Sequence, residues 1–242
     1  MKRTARLLTV CAALGLGALA TAGVAQATPY FQIVGGAQET QLFPVPIIPN
    51  GAKGFDNETA AMSIFLRDTS APTGTPVTVL FNFVGSDSAF TNEFNAGGGA
   101  IKWCWAASGN CDAGYTPVTG PNNFAGPFTF TGSITATVDS VIPFSFFANV
   151  SPGPVLTLSD GGAGIPGSAH LIALDMTNGF DFANFNSTGR IFALGLTDGN
   201  FGGVGDDDHQ DFILTMAVPE PASLLLMGAG VLGLAALRRR RG

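Results

Sequence analysis

Basic residues are scarce in the middle of this chain. Of 11 Lys and Arg among 242 residues, three fall at Lys2, Arg3 and Arg6 and four at Arg238 to Arg241. Only Lys53, Arg67, Lys102 and Arg190 remain for the long central stretch. Sixteen of the 17 acidic residues lie between Glu39 and Asp211, so that stretch carries a net charge of −12. A surface of this sign repels phosphate backbones and anionic lipid, which argues against nucleic acid as a partner. Divalent cations and basic surfaces are its electrostatic partners, and the same charge also serves plain solubility.

Other scarcities narrow the class further. There are two Trp, two Tyr and two His against 20 Phe. No central segment keeps a 3.6-residue apolar period over three turns, which argues against a helical body. No internal repeat is present, which argues against a solenoid or propeller. Gly-x-Ser-x-Gly, His-Glu-x-x-His and a Gly-rich phosphate loop leading into a helix are all missing, and the chain reads as a non-enzyme. A glycan-active hydrolase is a distant third reading; it needs two opposed carboxylates in a cleft, a pair that one sequence does not name. His170, on an expected strand, and His209, in an acidic loop, do not have the spacing of a transition-metal site.

Abundant Gly, Thr, Asn and Ser suit short strands joined by tight turns. Thr28 to Asn57, with Pro44, Pro46 and Pro49, reads as an extended lead-in holding one short strand near Tyr30 to Val34. From Ala60 the apolar period becomes two, with Met62, Ile64 and Leu66 on one face, then Val77, Val79, Phe81 and Phe83. Further strands are expected over Ala100 to Ala107, Phe128 to Val138, Ile142 to Ala148, Val155 to Leu158, Ala169 to Met176, Arg190 to Leu196 and Phe212 to Val218. Roughly nine strands of this kind predict an all-β antiparallel β-sandwich, with a jelly roll as one form of it.

The two ends differ from this body. Residues 1–27 read as a signal helix: a positive start, an apolar stretch from Leu7 to Val24, and a cleavage site at Ala25-Gln26-Ala27, flanked by Ala25 and Ala27. Signal peptidase and the general secretion machinery are the implied partners. The exported body is then 28–217. Residues 218–242 form a three-part tail: Val218, Pro219, Glu220 and Pro221, an uncharged apolar run to Leu237, and Arg238, Arg239, Arg240 and Arg241. The run from Ala222 to Leu237 holds 16 residues, short of the roughly 20 of an ordinary single-pass anchor. It reads as a C-terminal transmembrane helix for temporary anchorage, with the arginines as a membrane stop on the cytoplasmic face.

This tail closely resembles the PEP-CTERM sorting signal of Gram-negative bacteria. The resemblance implies recognition by an exosortase, a membrane-embedded enzyme of sortase-like logic. It also implies a place at the cell surface or outside the cell, alongside exopolysaccharide or biofilm material.

Three features of the body carry candidate chemistry. Cys104 and Cys111 are the thiols left after Cys11 departs with the leader, and an oxidising compartment pairs them as a disulfide. Trp103 and Trp105 flank Cys104 and share a strand face, where indoles either stack on sugar rings or fill the core. Asp206, Asp208 and Asp211, in the acidic stretch before Phe212, have the close spacing of loop calcium ligands but not an EF-hand pattern. Calcium is therefore the one cofactor the sequence suggests, and a solvated polar loop is the plain alternative. The first functional reading is an exported structural or adhesive surface protein. The alternative is a calcium- or carbohydrate-binding module.

Overall fold

The computed structural model describes residues 28–40, 47–49, 51–106, 110–151, 156–162, 169–177, 184–198 and 209–220. The expected signal helix and transmembrane helix lie outside the described residues, among which there is no helix. Residues 29–219 form one compact unit.

In chain order the strands are β1 (Tyr30–Gly35), β2 (Ala37–Thr40), β3 (Lys53–Asp56), β4 (Met62–Arg67) and β5 (Pro76–Gly85). Next come β6 (Thr91–Ala96), β7 (Ile101–Ala106), β8 (Thr116–Pro117), β9 (Thr131–Thr137) and β10 (Phe144–Ser151). The last are β11 (Leu156–Ser159), β12 (His170–Asp175), β13 (Thr188–Gly189), β14 (Ile191–Thr197) and β15 (Phe212–Ala217). They form a seven-stranded sheet in the order β2-β3-β12-β14-β15-β5-β9, a five-stranded sheet β11-β10-β6-β7-β8, and a three-stranded sheet β13-β1-β4. The described pairings are antiparallel apart from β7 with β8.

The strands that alternate in sequence alternate in burial. Met62, Ile64 and Leu66 of β4 point inward, and so do Val79, Phe81 and Phe83 of β5, while Leu80 stays exposed. Inside, the five- and seven-stranded sheets meet through phenylalanine. Phe94 of β6 lies between 5.0 Å and 6.4 Å, ring centre to ring centre, from Phe146, Phe81, Trp103, Phe144 and Phe212. Offset and edge-on ring pairs at such distances add to the gain from burying the rings themselves.

β12, β14 and β15 are buried on both faces, which is why they read as near-continuous apolar runs. Leu171, Ala173, Phe192 and Leu194 face the phenylalanine core; Ile172, Leu174, Ala193 and Ile213 face a second cluster roofed by Ile47 and Ile48.

Two expectations need correction. The lead-in is not merely extended, because β2 and β3 within it add two strands to one edge of the seven-stranded sheet. Gly54, a strand breaker by composition, is required there: a Cβ would lie 2.8 Å from the Ala173 carbonyl oxygen. The five-stranded sheet also has β6 near its centre, where Thr91, Asn92 and Glu93 are buried. Polar side chains in those positions hide the strand from an apolar-period search.

Candidate functional site

The outer face of the seven-stranded sheet brings Asp56, His170 and His209 together. Register explains how. Ile172 pairs with Asp56 on one side and with Gly195 on the other, and His170, two residues earlier on the same face, pairs with Thr197. His209 enters over Gly195, whose missing side chain leaves room: a Cβ would lie 2.4 Å from the His209 carbonyl oxygen. The His209 amide donates to Thr197 Oγ1 at 2.9 Å, and its backbone adopts a left-handed φ of 52°.

The three side chains are almost wholly removed from solvent, at 2 % for Asp56, 3 % for His170 and 0 % for His209. Asp56 divides its oxygens between two tasks. Oδ1 accepts the Glu58 amide at 2.6 Å, while Oδ2 faces His209 Nε2 at 3.4 Å and His170 Nε2 at 3.8 Å. The imidazole rings stand edge to face, 4.8 Å apart at 81°. The ligand atoms of all three residues lie within 4.8 Å of one another. Chemically, one carboxylate and two imidazoles in this arrangement can share a proton or hold a metal ion.

A polar seam fixes this corner of the sheet. Gln210 Oε1 accepts the Ile47 amide at 2.9 Å and its Nε2 donates to the Ile48 carbonyl at 3.3 Å, so the residue after His209 holds the roof in place. Asp198 Oδ2 accepts from Ser88 Oγ at 2.5 Å and Asn92 Nδ2 at 2.8 Å. Asp211 Oδ2 accepts the Asp198 amide at 2.6 Å, and its carbonyl accepts from Asn92 Nδ2 and Ser86 Oγ. Both flanks of the acidic stretch are thus tied to the turn before β6.

The residues singled out by sequence fall in different places. Cys104 and Cys111 form a disulfide. Beside it, Glu93 Oε1 accepts the Asp112 amide at 2.8 Å, and burial pushes the Glu93 carboxyl above the usual range, the Asp112 amide partly offsetting this. Trp103 is 6 % exposed and belongs to the core, so it offers no face to a sugar, contrary to the stacking alternative. The reason is register: Trp103 lies opposite Phe94. Trp105 is half-buried and donates its indole N–H to the Ser88 carbonyl at 3.1 Å. Asp211 serves the seam just described, while Asp206 and Asp208 lie outside the described residues. So do Ala25, Ala27, Pro221 and Arg238 to Arg241; Val218 is buried, and Pro219 and Glu220 are exposed.

Spacing kept the two histidines apart; folding places their rings in contact. A cue was present in β14, where Gly195 interrupts an apolar strand, the usual mark of a close backbone approach.

Residues 217–241 match the family model of the PEP-CTERM protein-sorting motif. No curated protein and no solved structure matches the chain. The chain therefore carries the sorting motif of exosortase-processed extracellular proteins.

Proposed function

We propose that this chain is an exported β-sandwich protein, anchored by its C-terminus until exosortase acts, and then a structural or adhesive component of the cell surface or its exopolysaccharide. The observation that carries the reading is the sorting motif over residues 217–241, joined to a compact body built from strands. The Pro-Glu-Pro element would be the feature read by the enzyme, the uncharged run the transient anchor, and the four arginines the cytoplasmic stop.

Its test is the fate of the chain in a cell that has the sorting enzyme. Changing Pro219, Glu220 and Pro221 to Ala should leave an unprocessed form in the inner membrane, detected by fractionation and by its larger mass. Normal release of that variant would refute the sorting route. Co-sedimentation of the processed protein with its host's exopolysaccharide tests the surface role, and a protein found wholly free of that fraction would remove it.

A further inference from the structure

We infer that Asp56, His170 and His209 form a binding site for one borderline divalent transition-metal ion, with zinc the best-fitting example. The inference goes beyond the sorting reading and stands on the geometry of the body alone.

Distance is the first argument. A carboxylate paired directly with a charged imidazole closes to about 2.7–2.9 Å, whereas Asp56 Oδ2 stands 3.4 Å from His209 Nε2 and 3.8 Å from His170 Nε2. The first is a long hydrogen bond and the second is beyond hydrogen-bond range. The shorter one matches the edge of a zinc tetrahedron, whose ligands about 2.0–2.1 Å from the ion lie roughly 3.3–3.4 Å apart. The 3.8 Å separation, and the remaining one within the 4.8 Å span of the cluster, would shorten as the rings turn onto the ion. An octahedral magnesium site, with similar bond lengths, would need edges nearer 3 Å.

Burial is the second argument. A carboxylate at 2 % exposure is costly to keep ionised unless its charge is compensated. Among the described residues, the Glu58 amide on Oδ1 and the long 3.4 Å approach of His209 Nε2 to Oδ2 meet only part of that need. A dication facing Oδ2 meets the rest, and the Glu58 amide then becomes the outer partner that orients the ligating carboxylate.

Donor chemistry is the third. Two imidazoles and one carboxylate suit zinc and its first-row neighbours, while calcium and magnesium take oxygen donors. Three protein ligands leave a fourth tetrahedral position for water or another donor. The frame is also pre-set: β3, β12 and the approach to β15 each supply one ligand, and Gly195 lets the third come close.

The test uses the full chain, purified in detergent and stripped with a chelator, with zinc chloride as the probe. One zinc per chain is expected by elemental analysis and calorimetry. The melting temperature should rise by about 5–10 °C at zinc concentrations near 100 times the dissociation constant. Cobalt(II) should give the intense visible bands of a tetrahedral site. Asp56→Asn, which keeps an acceptor for the Glu58 amide, and His209→Gln should each abolish the stoichiometric zinc and the thermal shift. If either variant fails to fold, the wild-type cobalt spectrum and stoichiometry decide the matter. No zinc uptake by the wild type overturns the inference, and so does zinc retained in both variants, or an equal shift with calcium. None of these outcomes depends on whether exosortase processes the tail.

Discussion

Asp160 follows β11 and is held beneath β4, where its Oδ1 accepts the Ile64 amide at 2.8 Å. Its other oxygen, Oδ2, is buried with no hydrogen-bond partner among the described residues. Burial pushes this carboxyl up to about 7, with the amides of Ile64, Gly161 and Ile142 pulling it part of the way back. The unfolded chain releases the same proton near 3.8. Between those two values the folded protein therefore holds a proton that the unfolded chain has lost. The stability this group contributes is complete below about pH 4 and is lost as pH rises through about 7. At about 1.4 kcal/mol per unit, a displacement of roughly three units amounts to about 4 kcal/mol. Asp160→Asn removes the ionisation and keeps an oxygen for the Ile64 amide. Urea unfolding of wild type and variant between pH 4 and pH 8 should give similar stabilities at the acid end and a variant ahead by a few kcal/mol at the alkaline end. Taking the difference between the two proteins cancels the other carboxylates. Parallel curves across that range, or a variant weaker at pH 8, would refute the assignment of this titration to Asp160.

Two further perturbations probe the core and its covalent tie. Phe94→Ala empties the centre of the ring cluster shared by the two larger sheets and should cost about 3–5 kcal/mol in denaturant unfolding; a loss below about 1 kcal/mol would mean that those rings are not close-packed. Replacing Cys104 and Cys111 together by Ala opens a loop of sequence separation 7 and should lower stability by about 2–3 kcal/mol. An unchanged unfolding midpoint in the double variant would show that the reduced chain keeps this turn closed unaided.

The parts of the fold legible in the sequence were those where one face is dry and the other wet. β4 and β5 alternate for that reason, and both were visible as period-two stretches with the correct inward residues. β12, β14 and β15 were legible for a different reason, as short apolar runs bounded by polar turns, since both of their faces are covered. β6 broke both patterns. Its Thr91 and Asn92 are buried, and Asn92 bonds to Asp198 and Asp211, residues more than a hundred positions away. Polarity marks a loop only where water satisfies it, and at Asn92 long-range hydrogen bonds take the place of water.

The same physics explains why the Asp-His-His cluster could not be read from spacing. His209 follows three aspartates in sequence, and that neighbourhood invites an electrostatic account built from adjacent acids. Among the described residues its side-chain partner is Asp56, 153 positions away, reached because β3 and β12 pair and the chain before β15 crosses β14. A pairing of that kind is set by register, in which a slip of one residue would turn His170 toward the opposite face. The local traces of the site are therefore not its ligands but its glycines. Gly54 lets β3 lie close against β12, and Gly195 lets the His209 backbone pass over β14. Any side chain at Gly195 meets the His209 carbonyl before it meets anything soft enough to yield. The position of the third ligand and the identity of residue 195 are thus one constraint, and a glycine inside an apolar strand is the form that constraint takes in the sequence.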